Sequence, residues 1–147
     1  MNGDYKDQPK VGLANALLLS ALVGVSQLNF QRTYPTRAEM DKYVEDYIRS
    51  EMPKRDANDI LYQYEASRDY DPAPGLEKIV APLFAINTAD DLVNPPDIPV
   101  LEKEITRVKH GKAVVIPESD KTNGHGTHTL ATVWMDYLVQ LLKESAK

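Results

Sequence analysis

The sequence predicts an α/β fold with two neighbouring parallel strands, and three observations carry that expectation. Residues 79–86 (IVAPLFAI) form an unbroken apolar run that ends in the polar string Asn87, Thr88, Ala89, Asp90, Asp91. Residues 113–116 (AVVI) make a second short apolar run before Pro117. Between the two, Val100, Leu101, Ile105 and Val108 recur at helical spacing. A strand with no polar alternation is one covered on both faces, as in parallel sheets, and the order strand, helix, strand is the unit that builds such sheets.

The rest of the chain reads as helix. In residues 11–25 (VGLANALLLSALVGV), Leu13, Leu17, Ala21, Leu22 and Val25 repeat at helical spacing, with Leu18 and Leu28 widening the stripe. The same segment has the hydropathy of a signal sequence. However, Asp4 and Asp7 balance Lys6 and Lys10, so no positive flank precedes it. Its length also falls short of the roughly 20 apolar residues that cross a bilayer. Thr36-Arg37-Ala38-Glu39 is a capping box directly after Pro35. Met40, Tyr43, Val44, Tyr47 and Ile48 then define one apolar stripe, which Met52 and Pro53 end. Asp56 is the expected N-cap of a short helix through Ile60, Leu61 and Tyr64, and Pro72, Pro74 and Gly75 break the chain. Past the second strand, Leu130, Val133, Trp134, Tyr137, Leu138, Leu141 and Leu142 mark a final helix, with Lys143 and Lys147 near its C-terminal dipole. Two regions follow: a helical cap over residues 1–75, and residues 76–147 carrying the two strands.

Composition narrows the function classes. The 147 residues are 42% hydrophobic and 27% charged, which excludes a disordered chain, and the absence of cysteine removes disulfides, thiol nucleophiles and Cys-based zinc sites. A chain without disulfides suits a reducing compartment, so the expected location is cytoplasmic. With 22 acidic against 17 basic side chains and no basic block, neither nucleic acid nor a membrane surface is the expected partner. Two strands that are apolar on both faces cannot form a free-standing sheet. The chain is therefore expected to be the C-terminal portion of a larger α/β protein, with a missing N-terminal core region as its structural partner.

The chemistry concentrates in two loops, each following a strand's C-terminal end, where open parallel sheets bind ligands. The first holds Asp90 and Asp91; the second runs from Glu118 to His128 through Asn123-Gly124-His125-Gly126. Adjacent strands lie about 4.8 Å apart, so the two loops can bring a carboxylate to an imidazole. Such a pair fixes the histidine tautomer and stabilises imidazolium, which is what a serine nucleophile requires of its base. Asp90 and Asp91 are both candidates for that carboxylate, and either has the alternative role of capping the helix beyond the loop or binding water.

The string from Ala85 to Pro96 (AINTADDLVNPP), together with Asn123-Gly124-His125, resembles the acid and histidine loops of α/β-hydrolase-fold enzymes, specifically the homoserine O-acetyltransferase-like group. Asn2-Gly3-Asp4-Tyr5 resembles a segment that follows the nucleophile region there, and residues 56–72 are similar to its helical lid. The resemblance implies a helical cap followed by the last two strands of the core sheet. It also implies a Ser-His-Asp triad with Asp91 and His125 as acid and base, a small ester or thioester substrate, acetyl-CoA as a possible acyl donor, and a homodimer as one assembly open to it. No resident cofactor or metal is implied. The G-x-S-x-G nucleophile elbow of that fold is absent. The nearest string, Gly24-Val25-Ser26-Gln27-Leu28, lacks the second glycine and a preceding strand, so Ser26 is read as structural. Gly126 stands where acetyltransferases of this group have an aspartate that helps bind the substrate amine; a general ester hydrolase, or an acyltransferase for another alcohol, fits equally. The alternative outside catalysis is a fragment or binding module that keeps the cap and last strands alone.

Gly124-His125-Gly126-Thr127-His128 also resembles the histidine motif of subtilisin-like proteases, but the acid and serine motifs of that family are absent. Both resemblances select His125 as the base, leaving His128 at a helix start or in support. A metal held by His125, His128 and an aspartate is disfavoured by the glycines around them, and His110 is expected on the solvated surface. Tyr62, Tyr64 and Tyr70, of eight tyrosines, are candidates for an acyl pocket or for packing within the cap.

Overall fold

Helix signals and a single strand-helix-strand unit account for the architecture of the computed structural model, which describes residues 3–146. Asn2, in the motif that opens the chain, and Lys147, at the end of the final helix stripe, lie outside the described residues. The backbone packs as two units: one comprises residues through Leu22 together with Phe30–Tyr70, the other Val23–Asn29 together with the chain from Asp71 onward.

In the first unit, helix α1 (Lys10–Gly24) buries Leu13, Leu17 and Ala21, one residue per turn along a single face. Its opposite face is open, with Val11 and Leu19 exposed. Helix α2 (Gln27–Thr33) follows after a bend of 98°, and no single helix among the described residues is long and apolar enough to cross a membrane. Helix α3 (Arg37–Glu51) starts at the expected box: the Thr36 hydroxyl accepts from the Glu39 amide, and the Glu39 carboxylate accepts from the Thr36 amide. Its Tyr43 ring lies 4.6 Å from Tyr34 and 5.4 Å from Phe30, centroid to centroid. Helix α4 (Ala57–Glu65) is capped by Asp56, which also accepts from the Tyr5 hydroxyl at 2.7 Å and from Gln8 at 3.0 Å. The N-terminal segment therefore pins the start of α4. Tyr62, Tyr64 and Tyr70 are each at least 60% exposed, Tyr64 meeting the cap through its hydroxyl, 3.1 Å from Ser20 Oγ.

In the second unit, strands β1 (Leu83–Thr88) and β2 (Gly111–Ile116) pair in parallel, Leu83 opposite Gly111 and Thr88 opposite Ile116. They are joined by the short helix α5 (Val100–Glu104) and one 3-10 turn (Ile105–Arg107). The chain is thus mixed helix and strand with a two-stranded parallel sheet. The first strand starts later than the apolar run suggests. Pro82 has no N–H for a ladder, Ile79 closes the preceding 3-10 turn by donating to Leu76 O, and Val80 is exposed. The residues Leu83 to Asn87 are half-buried, short of the coverage on both faces that their composition suggests, and the other edge of β1 has no neighbouring strand among the described residues. The connecting helix is also shorter than its periodicity suggests, and its buried side is carried by Ile105 and Val108 in the turn that follows. Gly111 permits that turn: a Cβ there would lie 2.6 Å from Ile105 O and 2.9 Å from Val108 Cβ. Arg107 braces the segment by donating to Glu77, Glu104 and the Ala73 carbonyl. Helix α6 (Ala131–Ser145) packs on β1, yet Met135, Leu138, Val139 and Leu142 remain exposed along it.

Candidate functional site

The site grows from the parallel register. Because Thr88 and Ile116 are partners at the ends of β1 and β2, the two polar loops leave the same edge of the sheet side by side. Asp91 is buried, 5% exposed, and its two oxygens have separate tasks. Oδ1 accepts from the backbone amides of Val93 (2.8 Å) and Asn94 (2.9 Å), which turns the loop toward Pro95. Oδ2 faces His125 Nδ1 at 3.1 Å. One oxygen thus closes the turn at Val93 and Asn94, not the helix beyond it, whose N-cap is Pro99, and the other partners His125.

This contact sets the tautomer. The Asp91 carboxylate is acceptor-only when ionised, so Nδ1 carries the proton and Nε2 is left with its lone pair. The Asn94 amide nitrogen lies 3.4 Å from the same Nδ1, but an amide can donate only to a bare ring nitrogen, and the shorter contact is the one to the buried carboxylate. The His125 side chain is 39% exposed, against 7% for that of Asp91, so the base is reachable while its partner is screened.

Burial works to raise the Asp91 pKa, but the Asn94 amide, His125 and the Val93 amide together outweigh it and hold the carboxyl below the usual range. Asp90 is likewise lowered against the effect of burial, by the Gly124 amide and by the Thr88 and Thr122 hydroxyls. A carboxyl whose folded pKa is depressed stabilises the fold above its unfolded pKa of about 3.9, and that contribution disappears as pH falls through the folded value. The gap in melting temperature between the wild-type chain and Asp91→Asn is therefore expected to narrow steadily from pH 5 to pH 2, as read by circular dichroism. A gap constant over that window would exclude an ionised, stabilising Asp91.

Several supporting residues gave no catalytic signal in the sequence. Gly124, just before His125, sits at φ +56°, a conformation signalled only by the Asn-Gly turn pair. Asn123 Oδ1 accepts from the Asn29 side-chain Nδ2 at 2.7 Å, and the Asn123 backbone amide donates to the Thr127 hydroxyl at 2.8 Å. Ser26 is 1% exposed; its hydroxyl accepts from the Asn29 amide three residues on, as a helix cap does, and donates to Glu118. It follows no strand and sits on no elbow. His128 is exposed, donates from Nδ1 to the His125 carbonyl, and places its ring 5.1 Å from that of His125. His110 is exposed, as a polar turn requires. Among the described residues no group of three or more His, Asp or Glu converges as a metal site would need.

Beside the pair lies an open hollow of about 860 Å³, lined by apolar side chains that include Leu83, Ile98, Leu101, Ile105 and Trp134, and by Asp91 and His125 themselves. The arrangement can take a proton at Nε2 from a hydroxyl and hold the resulting imidazolium against a buried carboxylate. Comparison with protein-family models, curated proteins and solved structures finds no match to this chain.

Proposed function

We propose that this chain supplies the acid and base of a Ser-His-Asp acyl-transfer catalyst of the α/β-hydrolase type, with Asp91 as acid, His125 as base and the serine on polypeptide beyond these residues. One observation carries the reading: the 3.1 Å approach of His125 Nδ1 to the buried Asp91 Oδ2, made by loops that leave adjacent parallel strands at the same edge. The bare edge of β1 and the exposed apolar residues of α6 support the second half of the proposal, because these are surfaces that further strands and helices of a larger sheet cover. That missing N-terminal core is the structural partner.

In the proposed reaction the serine Oγ attacks an ester or thioester carbonyl as His125 Nε2 takes the hydroxyl proton. Backbone amides outside this chain hold the oxyanion. The carbon–oxygen or carbon–sulfur bond breaks, the leaving alkoxide or thiolate receives that proton from His125, and an acyl-serine remains. An alcohol or water, deprotonated by His125, then attacks the acyl-serine and regenerates the hydroxyl. Acetyl-CoA suits the first half-reaction as donor. A homoserine-like acceptor is less well served, since a Cβ at Gly126 would lie 3.0 Å from Asn123 Nδ2 and 3.4 Å from Gly24 O, leaving little room for an amine-binding aspartate. An ester hydrolase, or an acyltransferase for another alcohol, fits the loop better.

The test is to extend expression into the in-frame upstream codons. The extended polypeptide is expected to carry G-x-S-x-G, to be labelled at that serine by a fluorophosphonate and to hydrolyse p-nitrophenyl acetate. No labelled serine and no turnover, with well-dispersed amide resonances and a cooperative melt for the 147-residue chain alone, would instead make it a non-catalytic module.

A further inference from the structure

We propose that Asp90 is a positioning residue that fixes His125 against Asp91 by gripping the peptide immediately before the histidine. The inference rests on the reading of Asp91 and His125 as an acid-base pair and gives the neighbouring carboxylate a separate task. Asp90 Oδ2 accepts from the Gly124 amide at 2.9 Å and from the Thr122 hydroxyl at 3.0 Å. From the other side of Ala89, the Thr88 hydroxyl donates to the Gly124 carbonyl at 3.3 Å. The acid loop therefore holds both polar ends of the residue preceding His125. An ionised acceptor makes the Gly124 bond one of the stronger kind.

Asp90 Oδ1 is buried and has no hydrogen-bond partner, an arrangement that costs free energy wherever it occurs. Both hydrogen bonds of Oδ2 are to the histidine loop, while the Thr88 hydroxyl, which also favours the ionised Asp90, comes from the end of β1. The geometry has little slack: His125 follows Gly124 directly, and displacing the loop by about 1 Å would carry the 3.1 Å contact beyond hydrogen-bonding range. The ionisable groups around the His125 ring are Asp91, Asp90 through the backbone, and His128.

The upstream-extended polypeptide, labelled with nitrogen-15, tests this at pH 9, where the histidine ring nitrogens report which of them carries the proton. The wild type is expected to be mainly Nδ1–H. Asp91→Asn presents an amide to the ring and is expected to favour Nε2–H. Asp90→Asn keeps an oxygen for the Gly124 amide and is expected to retain the wild-type tautomer. Asp90→Ala is expected to lower the Nδ1–H fraction at least twofold and to speed Gly124 amide exchange at least tenfold. Should Asp90→Ala not fold, Asp90→Ser, whose hydroxyl is too short for the same bond, carries the same expectation. An unchanged tautomer in Asp90→Ala or Asp90→Ser would reduce Asp90 to a packing role and overturn the proposal. Equal changes in Asp90→Asn and Asp90→Ala would overturn it in favour of a bare charge effect. A wild-type tautomer in Asp91→Asn would instead overturn the acid-base reading beneath it.

Discussion

His125→Ala is expected to lower turnover of a chromogenic short-chain ester by about a thousandfold or more in the polypeptide that carries the serine elbow, whereas His128→Ala is expected to keep most of it. The two histidines stand three residues apart, with rings 5.1 Å from centroid to centroid, so a general change in local charge or packing would affect both variants alike. Their hydrogen bonds separate them. His125 presents Nδ1 to a buried carboxylate, which fixes the proton there and leaves Nε2 as an acceptor of the correct tautomer. His128 spends its Nδ1 on the carbonyl of His125, is exposed, and has no carboxylate partner among the described residues. A base without that stabilisation gives up most of the advantage of the triad. Equal losses in the two variants would show that the imidazole pair acts as a unit, and the assignment of His125 alone would fail.

How much of this was legible in the sequence depends on the range of the interactions involved. The helix caps and breaks are local, written in neighbouring residues such as Thr36 with Glu39 and Asp56 with Asn58, and α3 and α4 start at the expected places. The meeting of Asp91 with His125 was legible for a different reason. Once two apolar runs are read as adjacent parallel strands, the register alone carries the loops to one edge. Strand ends were less legible, because the apolar run through Ile79 and Val80 continues across Pro82, and the missing N–H overrides hydropathy. Burial in β1 and α6 departs from expectation for one physical reason: apolar composition records what a surface is suited to meet, not whether these residues supply it. The grip of Asp90 on Gly124 was not legible at all. It depends on the backbone amide of a residue 34 positions away, and backbone groups leave no mark in a sequence.

Gly124→Ala is expected to damage the second unit and its site together. Two effects add. The φ of +56° lies in the left-handed region, which costs a residue with a Cβ about 1–2 kcal/mol. The added Cβ would also lie 2.8 Å from Ser26 N and 2.9 Å from the Val25 carbonyl carbon, backbone atoms that no rotamer change can move aside. Ser26 is 1% exposed and its segment is tied to the loop through Asn29 and Asn123, so the clash cannot be relieved without moving the residues that hold the histidine. A lower melting temperature is expected together with loss of the Nδ1–H tautomer at His125. Gly12→Ala supplies the contrast: that glycine lies inside α1, where an added methyl would meet nothing within 4 Å, so alanine there is expected to raise stability by about 0.5–1 kcal/mol through helix propensity. A Gly124→Ala chain melting with the wild type would mean that the loop relaxes freely, and a loop that relaxes freely cannot hold an imidazole at a fixed carboxylate.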